Sequence, residues 1–126
     1  MWSISSVINN AGATGVIPNE LGRLSKLKIL SLSDNKLVGP IPSSLGNLSS
    51  LNYLYLFNNS LTGPIPESLA RLAALLDLDL SGNKLTGSIP DSLGEITQLE
   101  SLDLSDNMLS GEVPPSLARL QRLTNL

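Results

Sequence analysis

Leu24-Ser25-Lys26-Leu27-Lys28-Ile29-Leu30-Ser31-Leu32-Ser33-Asp34-Asn35-Lys36-Leu37-Val38-Gly39-Pro40-Ile41-Pro42-Ser43-Ser44-Leu45-Gly46-Asn47 recurs from Leu48, from Leu72 and from Ile96, each time after 24 residues and without an insertion. A fixed period of this length marks a repeat architecture, in which each unit buries its apolar face only against its neighbours. The chain is an array. With x for variable positions, the unit reads L-x-x-L-x-x-L-x-L-x-x-N-x-L-x-G-x-I-P-x-x-L-G-x, with Ala70 and Ala118 in place of the late glycine and Val113 in place of the isoleucine. This divides the chain into a degenerate first unit at 1–23, full units at 24–47, 48–71, 72–95 and 96–119, and a truncated unit at 120–126.

Each L-x-L step, Leu30/Leu32, Leu54/Leu56, Leu78/Leu80 and Leu102/Leu104, has the alternation of a short strand with one buried face. Pro18, Pro42, Pro66, Pro90 and Pro114 are each followed by residues that suit the start of a short helix or 3-10 turn. One strand and one turn per unit predict an α/β repeat: a solenoid with short parallel strands on one side and 3-10 or short helical turns on the other.

Asn35, Asn59, Asn83 and Asn107 stand at the bend after each strand. An amide carries an acceptor and two donors, which can satisfy backbone groups of the bend itself and of the next coil. They are read as a structural ladder.

Composition narrows the chemistry. The chain is 41% hydrophobic but only 3% aromatic, carries a net charge of −3, and has no cysteine or histidine. That balance gives no footprint for nucleic acid, and it removes disulfides, thiolate nucleophiles, the usual zinc ligands and the commonest proton-transfer side chain. No metal or cofactor is expected. The longest apolar run, Leu72-Ala73-Ala74-Leu75-Leu76, is far short of the ~20 residues that span a bilayer, and the first residues lack the pattern of a secretory signal.

These motifs resemble the leucine-rich repeat family, and the G-x-I-P-x-x-L-G half of the unit resembles its plant-specific, extracellular subclass, over roughly residues 15 to 126. The resemblance implies a right-handed solenoid with its parallel sheet on the concave side, as in receptor-like kinase ectodomains, receptor-like proteins and polygalacturonase-inhibiting proteins. It implies an extracellular or cell-surface setting. The paired cysteines that usually cap members of that subclass are absent, and both ends are open. At the start Ser6, Ala11 and Ala13 stand where Leu, Asn and Leu are expected, and a slip using Asn10 as the ladder residue is an alternative. Leu120, Leu123 and Leu126 begin another unit. The expectation is a piece of a longer ectodomain, the alternative being a short protein that self-associates through uncapped ends.

Function in such an array falls on the side chains flanking the strand leucines, which point away from the core. Across the four full units those columns read Ile29, Tyr53, Asp77, Ser101; then Ser31, Tyr55, Asp79, Asp103; then Ser33, Phe57, Ser81, Ser105; then Asp34, Asn58, Gly82, Asp106. Three of the four aromatics, Tyr53, Tyr55 and Phe57, fall on one strand, expected to face solvent. Beside them Asp77, Asp79 and Asp103, with Glu100 and Asp106, form an acidic field. Neighbouring strands ~4.8 Å apart would set Asp79 opposite Asp103 as like charges, which calls for compensation. A protein or peptide partner, basic in character, fits. Its surface of order ~400 Å² is about half of the ~800 Å² of a standard interface side.

The competing readings are a solvated acidic face on a scaffold without a dedicated ligand, or a carboxylate-pair enzyme at Asp77 and Asp79. The last is disfavoured, because a shallow ruled surface does not desolvate reacting groups. Two Asn-x-Ser sequons, Asn47-Leu48-Ser49 and Asn58-Asn59-Ser60, complete the motifs.

Overall fold

The computed structural model describes residues 5–7 and 11–120, so the alternative ladder role of Asn10 and the leucines at 123 and 126 lie outside the described residues. Five strands, β1 (Ser5–Val7), β3 (Ile29–Ser31), β5 (Tyr53–Tyr55), β7 (Asp77–Asp79) and β9 (Ser101–Asp103), form one parallel sheet in that order. Their register steps by one sequence period, Ile29 beside Tyr53 beside Asp77 beside Ser101. Ser6 pairs with Leu30, so β1 keeps the 24-residue step despite its weak sequence match. The expected α/β repeat solenoid is the architecture found, and its turns are all 3-10 among the described residues: η1 (Asn19–Arg23), η2 (Ser43–Asn47), η3 (Glu67–Arg71), η4 (Asp91–Glu95) and η5 (Pro115–Arg119). A proline immediately precedes each.

The leucines of the strands close the core. Leu30, Leu54, Leu78 and Leu102 are 0% exposed, and Leu51, Leu75 and Leu99 one turn earlier match them. Stacked coils turn a wedge that no single unit can bury into a continuous apolar ribbon.

A second parallel sheet was not expected. β2 (Thr14–Gly15), β4 (Lys36–Pro40), β6 (Ser60–Gly63) and β8 (Lys84–Leu85) pair in order, with Gly39 beside Leu61 and Gly63 beside Leu85. Its register steps by 22 residues rather than 24, so these strands slide against one another along the array. The repeat glycines Gly39, Gly63, Gly87 and Gly111 lie at φ 78–79°, a left-handed backbone that lets the chain leave this sheet for the next proline.

The asparagine ladder joins the coils through backbone groups. In Asn83, Oδ1 accepts the Leu61 N–H at 3.1 Å, while Nδ2 donates to the carbonyls of Leu56 at 3.0 Å and of Leu80 and Ser81 at 3.1 Å. Asn59 and Asn107 repeat the pattern, the first taking the Leu37 N–H and the second the Leu85 N–H. Asn35 takes both the Ala11 and Ala13 N–H groups. The reach is therefore to the preceding coil and not, as the sequence suggested, to the next. The cause is geometric: the bend lies beyond the strand end, over the coil already laid down.

Candidate functional site

The candidate site is the concave sheet around β5 and β7. Tyr53 and Tyr55 sit in β5, and Phe57 lies two residues past its end rather than within it. The three rings pack in series, Tyr53 on Tyr55 at 6.2 Å between centroids and nearly parallel, Tyr55 on Phe57 at 6.2 Å and edge-on. All three are partly buried, not fully turned to solvent, because each shields its neighbour. On the adjoining rung Ser31 and Ser33 are 4% and 0% exposed, so two of the columns expected to face outward are closed on that coil. Small hydroxyl side chains sit low among larger neighbours, and Ser31 is in register with Tyr55.

The aromatic and acidic columns are bonded together. The Tyr55 hydroxyl donates to Asp77 Oδ2 at 2.9 Å, across one rung. Burial first, then this bond and the Asp77 charge, push the phenol well above its ordinary range, so it stays a neutral donor.

Asp79 and Asp103 lie in register on β7 and β9. The like charges do not await an external cation for their compensation. Asp79 Oδ1 accepts the Ser81 backbone N–H at 3.0 Å and the Ser81 hydroxyl at 2.6 Å, and Asp103 Oδ1 accepts the same two groups from Ser105 at 3.0 and 2.6 Å. Hydrogen bonds to the charged form favour it. The Ser105 hydroxyl and then its N–H hold the Asp103 carboxyl below the usual aspartate range, against a smaller opposing effect of burial.

A folded-state pKa lowered in this way stabilises the fold above the unfolded value near ~3.9 and loses that stabilisation as pH falls through the folded value. Ser105→Ala is therefore expected to move the Asp103 titration midpoint up toward the ordinary aspartate value, followed by carboxyl carbon shifts in NMR. An unmoved midpoint would refute the serine clamp.

Asp106 has a backbone reason for its place. Asp34, Asn58 and Asp106 have φ of 54–56°, and Gly82 at the same phase has 66°. Asn, Asp and Gly are the residues that adopt this left-handed conformation most readily. Asp106 belongs to the bend and Glu100 is exposed upstream of β9, which leaves Asp77 and Asp79 as the acidic side chains brought beside the aromatics, with Asp103 one rung further on. Among the described residues no three acidic side chains converge as a metal ion would need, and no helix is long and apolar enough to cross a membrane. The serines at positions 81 and 105 were not singled out from the sequence; their spacing two residues after an aspartate is the signal that marks them.

Comparisons with known proteins bear on the repeat and the fold. Models of the leucine rich repeat match residues 26–48 and 58–109, which together take in more than half of the chain. No curated protein matches the chain in sequence. Among solved structures, it is similar to the ectodomain of the Arabidopsis thaliana membrane receptor kinase GASSHO1/SCHENGEN3, in complex with CASPARIAN STRIP INTEGRITY FACTOR 2, at 50% identity and TM-score 0.88 over 90% of this chain. It is similar to the Arabidopsis receptor kinase HAESA, in complex with the peptide hormone IDA and the co-receptor SERK1, at 43% identity and TM-score 0.89 over 94%. The ectodomain of the Arabidopsis thaliana receptor kinase SOBIR1 matches at 35% identity and TM-score 0.88 over 94%. The chain spans 14%, 20% and 65% of the lengths of those three structures. On its repeat, its fold and these likenesses, the chain belongs to the leucine-rich repeat family, with the repeat of the plant-type extracellular subclass.

Proposed function

We propose that the chain is a non-catalytic recognition surface of the receptor-ectodomain kind, which binds an extended protein or peptide segment along its concave sheet. The observation that carries this reading is the series Tyr53, Tyr55, Phe57 on one rung, tied by the Tyr55 hydroxyl to Asp77 on the next. Stacked, partly buried rings are pre-ordered contact area, and such area binds at small entropic cost. Structures of the same fold are complexes with a peptide hormone or a named factor, which supports a peptide as the occupant.

Basic character in that occupant is favoured by the carboxylates. Asp77 uses Oδ2 toward Tyr55, and Asp79 and Asp103 each use Oδ1 toward a serine. The second oxygen of each carboxylate remains for a Lys or Arg side chain, in a fixed orientation that costs little to hold.

The test is capture of synthetic extended peptides bearing Lys or Arg, read by fluorescence anisotropy. The triple change Tyr55→Ala, Phe57→Ala and Asp79→Lys is expected to abolish capture while the array still melts cooperatively. Loss of the ring contacts, ~0.5–1.5 kcal/mol per pair, sets the scale of the accompanying drop in stability. Binding that survives all three changes would remove the concave face as the site.

A further inference from the structure

The two sequons occupy unlike places in the coil. Asn47 closes η2 and is exposed, and its counterparts at the same phase of other units, Arg23, Arg71 and Glu95, are exposed as well. Unrelated side chains at one phase mean that the fold asks for none in particular there. Leu48 is 0% exposed and pins the turn, while the Ser49 N–H donates to the Asn47 carbonyl at 2.9 Å. The tripeptide is thus a tight bend with its first and third side chains outside. Asn47 Oδ1 accepts from Arg71 Nη1 at 3.1 Å, and that contact leaves the Nδ2 hydrogens open.

Asn58 is exposed too, but both its backbone N–H and its side-chain amide nitrogen are engaged, the former by the Ser81 carbonyl. It takes the left-handed backbone of its column at φ 56°, and its Nδ2 donates to Asp34 Oδ1 at 2.8 Å. The middle residue, Asn59, makes four ladder bonds, and Ser60 is in register with Val38 in the second sheet. Asp34, Leu32 and Leu37, the partners in the previous coil, all precede this sequon in the chain. They are available as soon as it is made. The partner of Asn47, Arg71, comes later and binds only Oδ1.

We propose that Asn47 is an N-glycosylation site and that Asn58 stays bare. The donor is a polyprenyl diphosphate-linked oligosaccharide. A bond forms between Asn47 Nδ2 and the first sugar carbon, the bond from that carbon to the diphosphate oxygen breaks, the polyprenyl diphosphate leaves with the electron pair, and one Nδ2 proton passes to a base of the transferase. Oδ1 is untouched, so the Arg71 contact persists. Folding competes with transfer: the ladder withdraws Asn58 early, whereas the Asn47 bend stays accessible in the finished coil. The glycan stands on the side of the 3-10 turns and leaves the rings of Tyr53, Tyr55 and Phe57 clear.

This assignment rests on the receptor-ectodomain reading, because that route passes the transferase. The experiment imposes the route, so that the two can fail separately. The full 126-residue chain is sent through the secretory pathway of a eukaryotic cell line by an added leader, and occupancy of each sequon is read by peptide mass spectrometry after the glycan is trimmed to a single sugar. One glycan per chain, on Asn47, is expected. Asn47→Gln and Ser49→Ala should each abolish it, and Ser60→Ala should leave it unchanged. Secreted, folded protein with a bare Asn47, or with Asn58 occupied as fully as Asn47, overturns the assignment. If Asn47→Gln is not secreted, Ser49→Ala keeps the asparagine and gives the same answer. Capture of basic peptides is read on the glycosylated and trimmed chains: equal capture is expected, and a large gain on trimming would show that the glycan does obstruct the face.

Discussion

Arrays carrying Asn83→Ala or Asn83→Asp are expected to unfold at a lower denaturant midpoint, by about 1–3 kcal/mol, the cost of leaving buried backbone groups unpaired. Asn83 is 7% exposed and serves one N–H and three carbonyls drawn from two coils. Alanine leaves the Leu61 N–H unpaired and takes one donor from each of the three carbonyls, which keep their bonds from Asn59 Nδ2, Asn107 Nδ2 and the Asn58 N–H. Aspartate can still accept from Leu61 but faces the carbonyls of Leu56, Leu80 and Ser81 with no proton to give, so its deficit should be at least as large and should shrink when the carboxyl is protonated at low pH. Equal midpoints for wild type and both variants in urea would refute the ladder. Asn107, which is less buried, provides a graded comparison: the same changes there should cost less because water can reach the orphaned groups.

The fold was legible because one constraint is written four times. Leu30, Leu54, Leu78 and Leu102 occupy one phase, and a phase that never changes is what a stacked core requires. The second sheet was not legible. Residues 36–40 follow the bend at Asn35 and hold Gly39 and Pro40, neither of which favours a strand, and their pairing depends on a 22-residue slide that no single unit contains. Hydrogen bonding between coils overrides local propensity there.

At the candidate site, residue identities were readable and their mutual arrangement was not. The columns placed Tyr55 beside Asp79, yet the hydroxyl reaches diagonally to Asp77, since a tyrosine side chain is long enough to pass its direct neighbour. Asp79 and Asp103 looked like an uncompensated repulsion. Ser81 and Ser105, already visible two residues on, supply the compensation locally. This changes what the acidic field implies: its charges are held in place without a partner, so basic affinity is a property of the surface and not a debt of the fold.

Gly46→Ala should be destabilising by about 1–3 kcal/mol, the usual cost of forcing a methyl group into a closed contact. A Cβ at position 46 would press on the Ser68 carbonyl oxygen, with the carbonyl carbon at 2.9 Å and the Ser68 Cβ at 3.0 Å. Gly22 meets Ser44, and Gly94 meets Ser116, in the same way. The array already contains the corresponding experiment at Ala70, in η3. The Ser92 hydroxyl lies 3.5 Å from the Glu67 carbonyl across that seam, while its equivalents Ser44, Ser68 and Ser116 reach theirs at 2.7–2.8 Å. A methyl group between two 3-10 turns therefore goes with a looser seam. Gly46→Ala should open the η2–η3 seam likewise and lengthen the Ser68 contact to Ser43. The reverse change, Ala70→Gly, restores a hydrogen bond worth ~0.5–1.5 kcal/mol but adds backbone freedom costing up to ~1 kcal/mol, so it should be close to neutral. Chemical denaturation of the pair checks the argument: a neutral Gly46→Ala would mean that the seams yield freely and that the repeat glycines serve some other purpose.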